Sequence, residues 1–383
     1  MFTFQGRNFN KIYLTVADSL ENNGLITHPR GKKTVELTQA MIKIDNPKER
    51  VCSSRPGFNI AFSIAEILWI LQGSANAEMI CHYLDNFKQF LDPEYPENFH
   101  GAYGARIFNY GYDERKEFDF EPYVNQFEEC AKKLKKDPDT RQAVISIWNP
   151  WKDNLQDSRD YACNNLSYLK IRNGKLNWTQ VLRSNDLYWG TPQNIFQFTF
   201  LQEIMAGLAG VEVGHYVQMS DSLHVYQDSY YDKEKMKPNT FDLYDYYLEL
   251  DDYRLYSIDQ LNYTVKILSE IEESSRKGAF EFLDKPDNIF MTLQHPWRNF
   301  AAVIVAFNLL KFDKTRQAID FAKEYVHGVY YPLLMKQFLV KIKKNETELI
   351  DYGEMVEYLY SSVALRLHGD NRILQFIDKD FAR

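Results

Sequence analysis

The sequence predicts an α/β fold continued by a helical C-terminal extension. Period-two alternation, the mark of a half-buried strand, recurs at residues 35–44, 143–148, 166–172, 176–182 and 214–219. Between those runs apolar residues recur at helical spacing, over 9–21, 60–73, 127–136 and 194–209. From residue 288 onward helical periodicity stands alone, in 300–310, 315–343 and 346–367. The chain is therefore expected to divide into an α/β domain, residues 1–230, and a mostly helical extension, 231–383, packed on it.

Taken in order, the first helix leads into a polar turn, His28-Pro29-Arg30-Gly31-Lys32-Lys33, whose plain reading is a solvated loop. A strand follows, and then an amphipathic helix from Ile60 that ends at Gly73 and carries Glu66 among apolar neighbours. Such a carboxylate either sits on the helix's polar edge or is functional, because burial raises its pKa toward acid–base use. The segment His100-Gly101-Ala102-Tyr103-Gly104 reads, taken alone, as a turn with a packed tyrosine. The helix over 127–136 stops at Asp137-Pro138. A hairpin turning at Gly174, a largely apolar helix and a further strand complete the α/β part. Residues 228–290 are acidic and tyrosine-rich, and Pro332 is expected to kink or split the helix over 315–343.

Composition narrows the function classes. The 383 residues are 45% hydrophobic and 26% charged, ordinary for a soluble globular chain long enough for a large core. A net charge of -8 argues against general nucleic-acid binding, which needs a basic surface, but leaves room for a small anion held by a few arginines. Cys52, Cys81, Cys130 and Cys163 form no CxxC pair and no zinc spacing, so reduced thiols and no metal are expected. The N-terminus lacks a signal-peptide pattern, and the longest apolar run, 300–310, is too short to span a bilayer. A cytoplasmic protein with no membrane segment is expected.

The chemistry concentrates between Asp137 and Tyr226. Tyr161-Ala162-Cys163-Asn164-Asn165 is followed by Arg183-Ser184-Asn185-Asp186, by Trp189-Gly190-Thr191-Pro192-Gln193-Asn194-Ile195, and by Asp221-Ser222-Leu223-His224-Val225-Tyr226. A thiol, an arginine, an acid, an amide and a histidine between apolar runs suggest one pocket built from several elements. Together with Asp137-Pro138-Asp139-Thr140-Arg141 and Trp148-Asn149-Pro150, these motifs stand in the order of the thymidylate synthase superfamily, which the chain resembles over about its first 230 residues. The run Ala65-Glu66-Ile67-Leu68-Trp69 is similar to that family's glutamate-bearing helix. Without the flanking motifs, Cys163 would read as a buried strand cysteine and His224 as structural.

The resemblance implies a mixed, twisted sheet flanked by helices, a homodimer formed through that sheet, and two small-molecule partners, a nucleotide and 5,10-methylenetetrahydrofolate. It implies roles as follows. Cys163 is the thiolate that adds to pyrimidine C6, which makes C5 nucleophilic. Arg183 supplies the positive surroundings a thiolate needs. Arg30, Arg183, Ser184 and Arg141, the last donated across the dimer interface, form a cup for the 5′-phosphate. Glu66 handles protons and organises water, and Tyr103 lies near the pyrimidine. Gly190 lets backbone approach the base. Asn194 offers one donor and one acceptor to uracil O4 and N3–H; aspartate there suits cytosine. His224 and Tyr226 bind the sugar 3′-hydroxyl, and Asp186 contacts folate.

Departures from the pattern bear on the outcome of the reaction. Asn164 replaces the histidine that usually follows the nucleophile, and Gln142 stands where a second arginine is common. An insertion lies between Asn149 and Cys163. No tryptophan occurs between Gly73 and His100, where synthases set one against folate and the reacting carbon; Phe87 or Phe90 would fill that space. The terminus Phe376 to Arg383 is not the short apolar seal of a synthase. An open pocket admits water, which closure otherwise excludes. The expected branch is therefore deoxyuridylate hydroxymethylation. The alternatives are thymidylate synthesis, dCMP hydroxymethylation, and a non-catalytic nucleotide- or RNA-binding relative.

Overall fold

The computed structural model describes residues 1–55, 57–227, 242–245, 247, 250–285, 288–344, 352–366 and 376–377. Two compact units divide these: Met1–Arg55, Glu66–Pro238 and Asp252–Asn262 form one, and Pro56–Ala65, Asn239–Asp251 and Tyr263–Arg383 the other. Residues 228–241, 345–351 and 378–383, and with them the expectation about the chain terminus, lie outside the described residues.

The first unit is built on one mixed sheet. In chain order its elements are β1 (Phe2–Gly6), α1 (Phe9–Asn23), β2 (Leu25–Thr27), β3 (Thr34–Ile44), α2 (Ile60–Leu71), of which only the part from Glu66 belongs to this unit, α3 (Ala77–Tyr83), α4 (Tyr103–Phe108), α5 (Gln126–Lys136), β4 (Val144–Ser146) and α6 (Pro150–Asp153). Then come β5 (Asn164–Arg172), β6 (Lys175–Leu182), β7 (Asn185–Asp186), α7 (Gly190–Ala209) and β8 (Glu212–Tyr226). The strand order is β1-β3-β8-β6-β5-β4, with β2 added on β3 and β7 on β8. β3 and β8 run antiparallel, whereas β6 and β7 both run parallel to β8, as a helical crossover requires.

That crossover is α7, and its burial explains its sequence. Residues Phe196, Phe198, Phe200, Leu201, Ile204 and Met205 are fully buried, so the helix is apolar all round rather than striped. It stops at Gly210, whose φ of +73° lets its N–H and that of Val211 turn back to Gly207 and Ala206 carbonyls. The structure begins the helix at Gly190, four residues before the sequence pattern does, because Gly190 to Gln193 carry no apolar stripe. Likewise β8 runs on to Tyr226, beyond the alternation at 214–219. The segment expected as a turn at Tyr103 is the start of α4, where Gly104 lies so close to Ile70 that a Cβ would meet its carbonyl oxygen at 2.7 Å.

The second unit is helical. After α8 (Ile258–Arg276), whose first turn belongs to the other unit, come α9 (Ile289–Thr292), α10 (Trp297–Lys311), α11 (Thr315–Tyr325), α12 (Tyr330–Lys344) and α13 (Tyr352–Arg366). α10 is its buried centre, with residues 300 to 306 fully enclosed. The helix expected over 315–343 is split, but before Pro332 rather than at it. The break falls at Val326 to Val329, where Gly328 takes φ +60°, and Pro332 sits in the first turn of α12. A proline is tolerated there because its missing N–H has no partner to lose.

Candidate active site

Cys163 sits at the head of β5, and the sheet register sets Arg183 against it. Asn164 pairs with Leu182, so the residues just outside the two strands fall opposite each other, and the Arg183 N–H donates to the Cys163 carbonyl at 3.0 Å. The twenty-residue spacing is thus one hairpin plus its flanks. The guanidinium then clamps the turn. Arg183 Nε donates to the Ala162 carbonyl and Nη2 to the Tyr161 carbonyl, each at 3.0 Å, while Nη2 lies 3.7 Å from Cys163 Sγ. Burial pushes the thiol up, and Arg183 and Arg30 pull it down without overcoming burial. The resting group is therefore the thiol, with its stabilising cations already in place.

A line of buried amides runs from Asn164 into the sheet. Asn164 Nδ2 donates to Asn194 Oδ1 at 3.0 Å, Asn194 Nδ2 to Asn185 Oδ1 at 3.3 Å, and Asn185 Nδ2 to Ser220 Oγ at 3.0 Å. Four elements converge to make this line: β5, the N-terminal part of α7, β7 and β8. Gly190 lies next to it, and a Cβ there would make only ordinary van der Waals contacts, 3.4 Å from Asn185 Oδ1 and 3.5 Å from Asn194 Nδ2, so this packing alone does not demand glycine. Tyr103, at the start of α4, shares a hydrogen bond with Asn164, and burial holds its hydroxyl protonated.

Glu66 faces the same region from α2. It is buried, and desolvation pushes its carboxyl up to about 8 despite a hydrogen bond from Gln197. Among the described residues Glu66 Oε2, Asn164 Oδ1 and Gln197 Oε1 are buried without a protein hydrogen-bond partner. Unpaired buried polar atoms are costly, so three at one place mark where water or ligand donors belong.

Asp186 closes the other side. β7 pairs it with His224, and its Oδ1 accepts from the N–H groups of Tyr188 at 2.7 Å and Trp189 at 2.6 Å, which fixes the turn into α7. Burial raises its carboxyl, opposed by those two amides and by His224. His224 stands edge-on to Tyr226, with ring centroids 5.2 Å apart. Arg30, on an exposed turn at φ +52°, is close enough to act electrostatically on both Cys163 and Tyr226. Ser184 lies between β6 and β7, directly after Arg183.

One residue expected in the site, Arg141, is not brought to Cys163 by this chain. Arg141 precedes β4, and the register pairs that end of β4 with the far end of β5, where Arg172 Nη2 reaches the Asp139 carbonyl at 3.4 Å. Cys163 and Arg172 are separated by the length of β5, roughly 30 Å at the usual rise of a strand. Phe87 packs edge-on against Phe90 at 5.7 Å and Phe99 at 5.6 Å, in an aromatic group that continues through Phe99 to Trp69.

The structure also adds residues. Asn185 and Ser220 complete the amide line; Gln197 binds Glu66 from one turn beyond Asn194, a helical spacing that could have revealed it. Arg55 lies 4.6 Å from the Tyr188 ring and 4.7 Å from the Trp189 ring, beside Asp186. Asp160, three residues before the nucleophile, accepts from the Gly101 N–H at 2.8 Å. Among the described residues no group of His, Cys, Asp and Glu is placed to hold a metal, and no helix is long and apolar enough to cross a membrane.

A thiol clamped by arginine, a buried carboxyl pushed up to about 8 and a fixed amide line thus combine a nucleophile, a proton-handling group and hydrogen-bonding side chains. The family model described as thymidylate synthase matches residues 11–276, well past the point where the motif resemblance ends. The chain belongs to the thymidylate synthase family. It is 40% identical over 233 residues to a deoxyuridylate hydroxymethyltransferase of Bacillus phage SP01, covering 60% of this chain and 60% of that protein. A protein of the same name from Pseudomonas phage M6 is 32% identical over 48% of this chain and 49% of its own length. Thymidylate synthase 1 of Bacillus spizizenii is 26% identical over 65% of this chain and 94% of its own. The chain thus spans about half to 60% of the length of the phage relatives it matches.

Proposed function

We propose that this protein transfers a one-carbon unit from 5,10-methylenetetrahydrofolate to C5 of dUMP and releases 5-hydroxymethyl-dUMP, in the manner named for its phage relatives. The arrangement that best supports the reading is Cys163 clamped by Arg183 beside the Asn164–Asn194–Asn185 line and the Glu66 carboxyl. In this reading Cys163 adds to C6 and the electron pair of C5–C6 moves onto C4–O4 as an enolate, so that C5 attacks the one-carbon unit. The C5 proton leaves to base, the C–N bond to folate breaks, and tetrahydrofolate departs with its proton, leaving an exocyclic methylene. Water adds to that methylene, and the ring enolate so formed expels Cys163 from C6.

The remaining assignments follow. Asn194 reads O4 and N3–H; Arg30, Arg183 and Ser184 take the phosphate; His224 and Tyr226 take the sugar; Asp186 and Phe87 are assigned to folate. Arg141, placed at the far end of β5, is assigned to the site of a second subunit, which makes the active form a homodimer. The catalytic residues fall within 1–230, and residues 231–383 are proposed as an extension to the catalytic domain. The test is to incubate the protein with dUMP and methylenetetrahydrofolate and weigh the nucleotide product. A hydroxymethyl nucleotide with tetrahydrofolate is expected. Stoichiometric dihydrofolate with dTMP would instead make the protein a thymidylate synthase.

A further inference from the structure

Gln197 has no part in the site as the sequence motifs define it, yet its Oε1 is one of the buried polar atoms without a protein partner. It sits on α7 one turn beyond Asn194, 1% exposed, among residues that are otherwise apolar on that part of the helix. An amide bonding a carboxylate must do so through its N–H, so Gln197 Nε2 is the donor to Glu66 and its Oε1 is left over. Glu66 Oε2 is likewise left over. With Glu66 ionised these are two buried acceptors, and two donated hydrogens are needed to satisfy them. One water molecule supplies both and is small enough to fit without a cavity for a larger ligand.

We propose that Gln197 is a positioning residue that fixes the orientation of Glu66 and, with it, holds the water that adds to the C5 methylene. This deepens the hydroxymethylation reading and rests on it. In the fraction of the protein with Glu66 ionised, one O–H of the water bonds to Gln197 Oε1 and the other to Glu66 Oε2, which leaves the oxygen lone pairs free. The oxygen bonds to the methylene carbon, its proton passes to Glu66, and the methylene π pair moves into the ring as the enolate that later releases Cys163. The groups that act electrostatically around this pair are Tyr103 on α4 and, through Tyr103, Cys163; burial keeps both protonated in the resting protein. An apolar wall with one carboxyl and one amide thus sets the proton-handling group, and Gln197 is the part that holds it below the value burial alone would give.

The experiment compares the parent with Gln197→Met and Gln197→Glu, each checked for intact dUMP binding. Exchange of the dUMP C5 hydrogen, which needs no folate product, is followed against pH, and a Glu66→Gln control identifies the Glu66 inflection. In Gln197→Met that inflection should move up by about one to two pH units. Hydroxymethyl product should fall at least about tenfold relative to exchange, while dUMP affinity stays within about twofold. In Gln197→Glu the inflection should split in two, because neighbouring carboxyls share a proton. An inflection unmoved in both variants, with hydroxymethylation intact, overturns the inference and leaves the reaction standing. A parent that makes dTMP and dihydrofolate overturns the reaction, and with it the water, while the exchange profile still decides whether Gln197 positions Glu66.

Discussion

Glu66→Gln should make the folded protein more stable at alkaline pH and leave it unchanged in acid, while removing proton transfer. The carboxyl is pushed from an ordinary 4.5 to about 8 by burial, so folding favours its protonated form. Below 4.5 both folded and unfolded chains carry the proton and the group is neutral with respect to stability. Between 4.5 and 8 the unfolded chain ionises while the folded one does not, so stability is lost progressively; above 8 the loss is complete. A gap of about 3.5 pH units at ~1.4 kcal/mol per unit sets an upper limit near ~5 kcal/mol, and relaxation around the ionised group lowers it to ~3–5 kcal/mol. Glutamine keeps the shape and the hydrogen bond to Gln197 but cannot ionise. Urea unfolding at pH 5 and pH 9 is the assay. The variant should match the parent within ~1 kcal/mol at pH 5 and exceed it by ~3–5 kcal/mol at pH 9, with C5 exchange reduced ~10²–10⁴-fold. Equal stabilities at pH 9 would mean that Glu66 is solvated in the folded protein, and the argument from burial would fail.

Cys163→Ser should abolish exchange of the dUMP C5 hydrogen, because a serine hydroxyl has no arginine-stabilised anion near neutral pH; retained exchange would remove Cys163 from the mechanism. Asn194→Asp should shift preference from dUMP toward dCMP by roughly 10- to 100-fold in kcat/KM, the size expected when a buried pair is mismatched. Equal kcat/KM of the parent for both nucleotides would refute the base assignment.

Most of the α/β architecture was legible in the sequence, because strands covered on one face alternate and striped helices repeat. The start of α7 and the end of β8 were not: Gly190 to Gln193 carry no apolar stripe, and in β8 the buried Leu223 and Val225 alternate with polar residues beyond the run at 214–219. β1, β2 and β7 went unseen for another reason: each is five residues or fewer and too short to show a period. In the site, Cys163 and Arg183 could be paired from their spacing because a hairpin joins them. Asn185 and Ser220 could not, because their partners lie on other elements; the place of Gln197 one turn beyond Asn194 was readable from the spacing, but its partner Glu66 on α2 was not. The resting state of Cys163 was also hidden, since neighbouring arginines are visible in the chain but the burial that outweighs them is not.

The replacement of the family's histidine by Asn164 takes its meaning from the amide line. In that line every amide donates in one direction, Asn164 to Asn194 to Asn185 to Ser220, which fixes which end of Asn194 is carbonyl and which is amine. An isolated asparagine could flip and accept either uracil or cytosine; one held at both ends cannot flip without turning its neighbours. Asn194 Nδ2 has a second hydrogen and Oδ1 a second lone pair, so the side chain can read O4 and N3–H without breaking the line. Asn164 Oδ1 is left buried and unpaired at the head of the line, a place for a bridging water that donates to it and to O4. On the proposed reading, uracil selectivity belongs to four residues on four elements rather than to Asn194 alone. A carboxylate at position 194 would face the Asn185 carbonyl oxygen, and Asn185 could answer only by turning over, which the Ser220 hydroxyl permits because it can donate as well as accept.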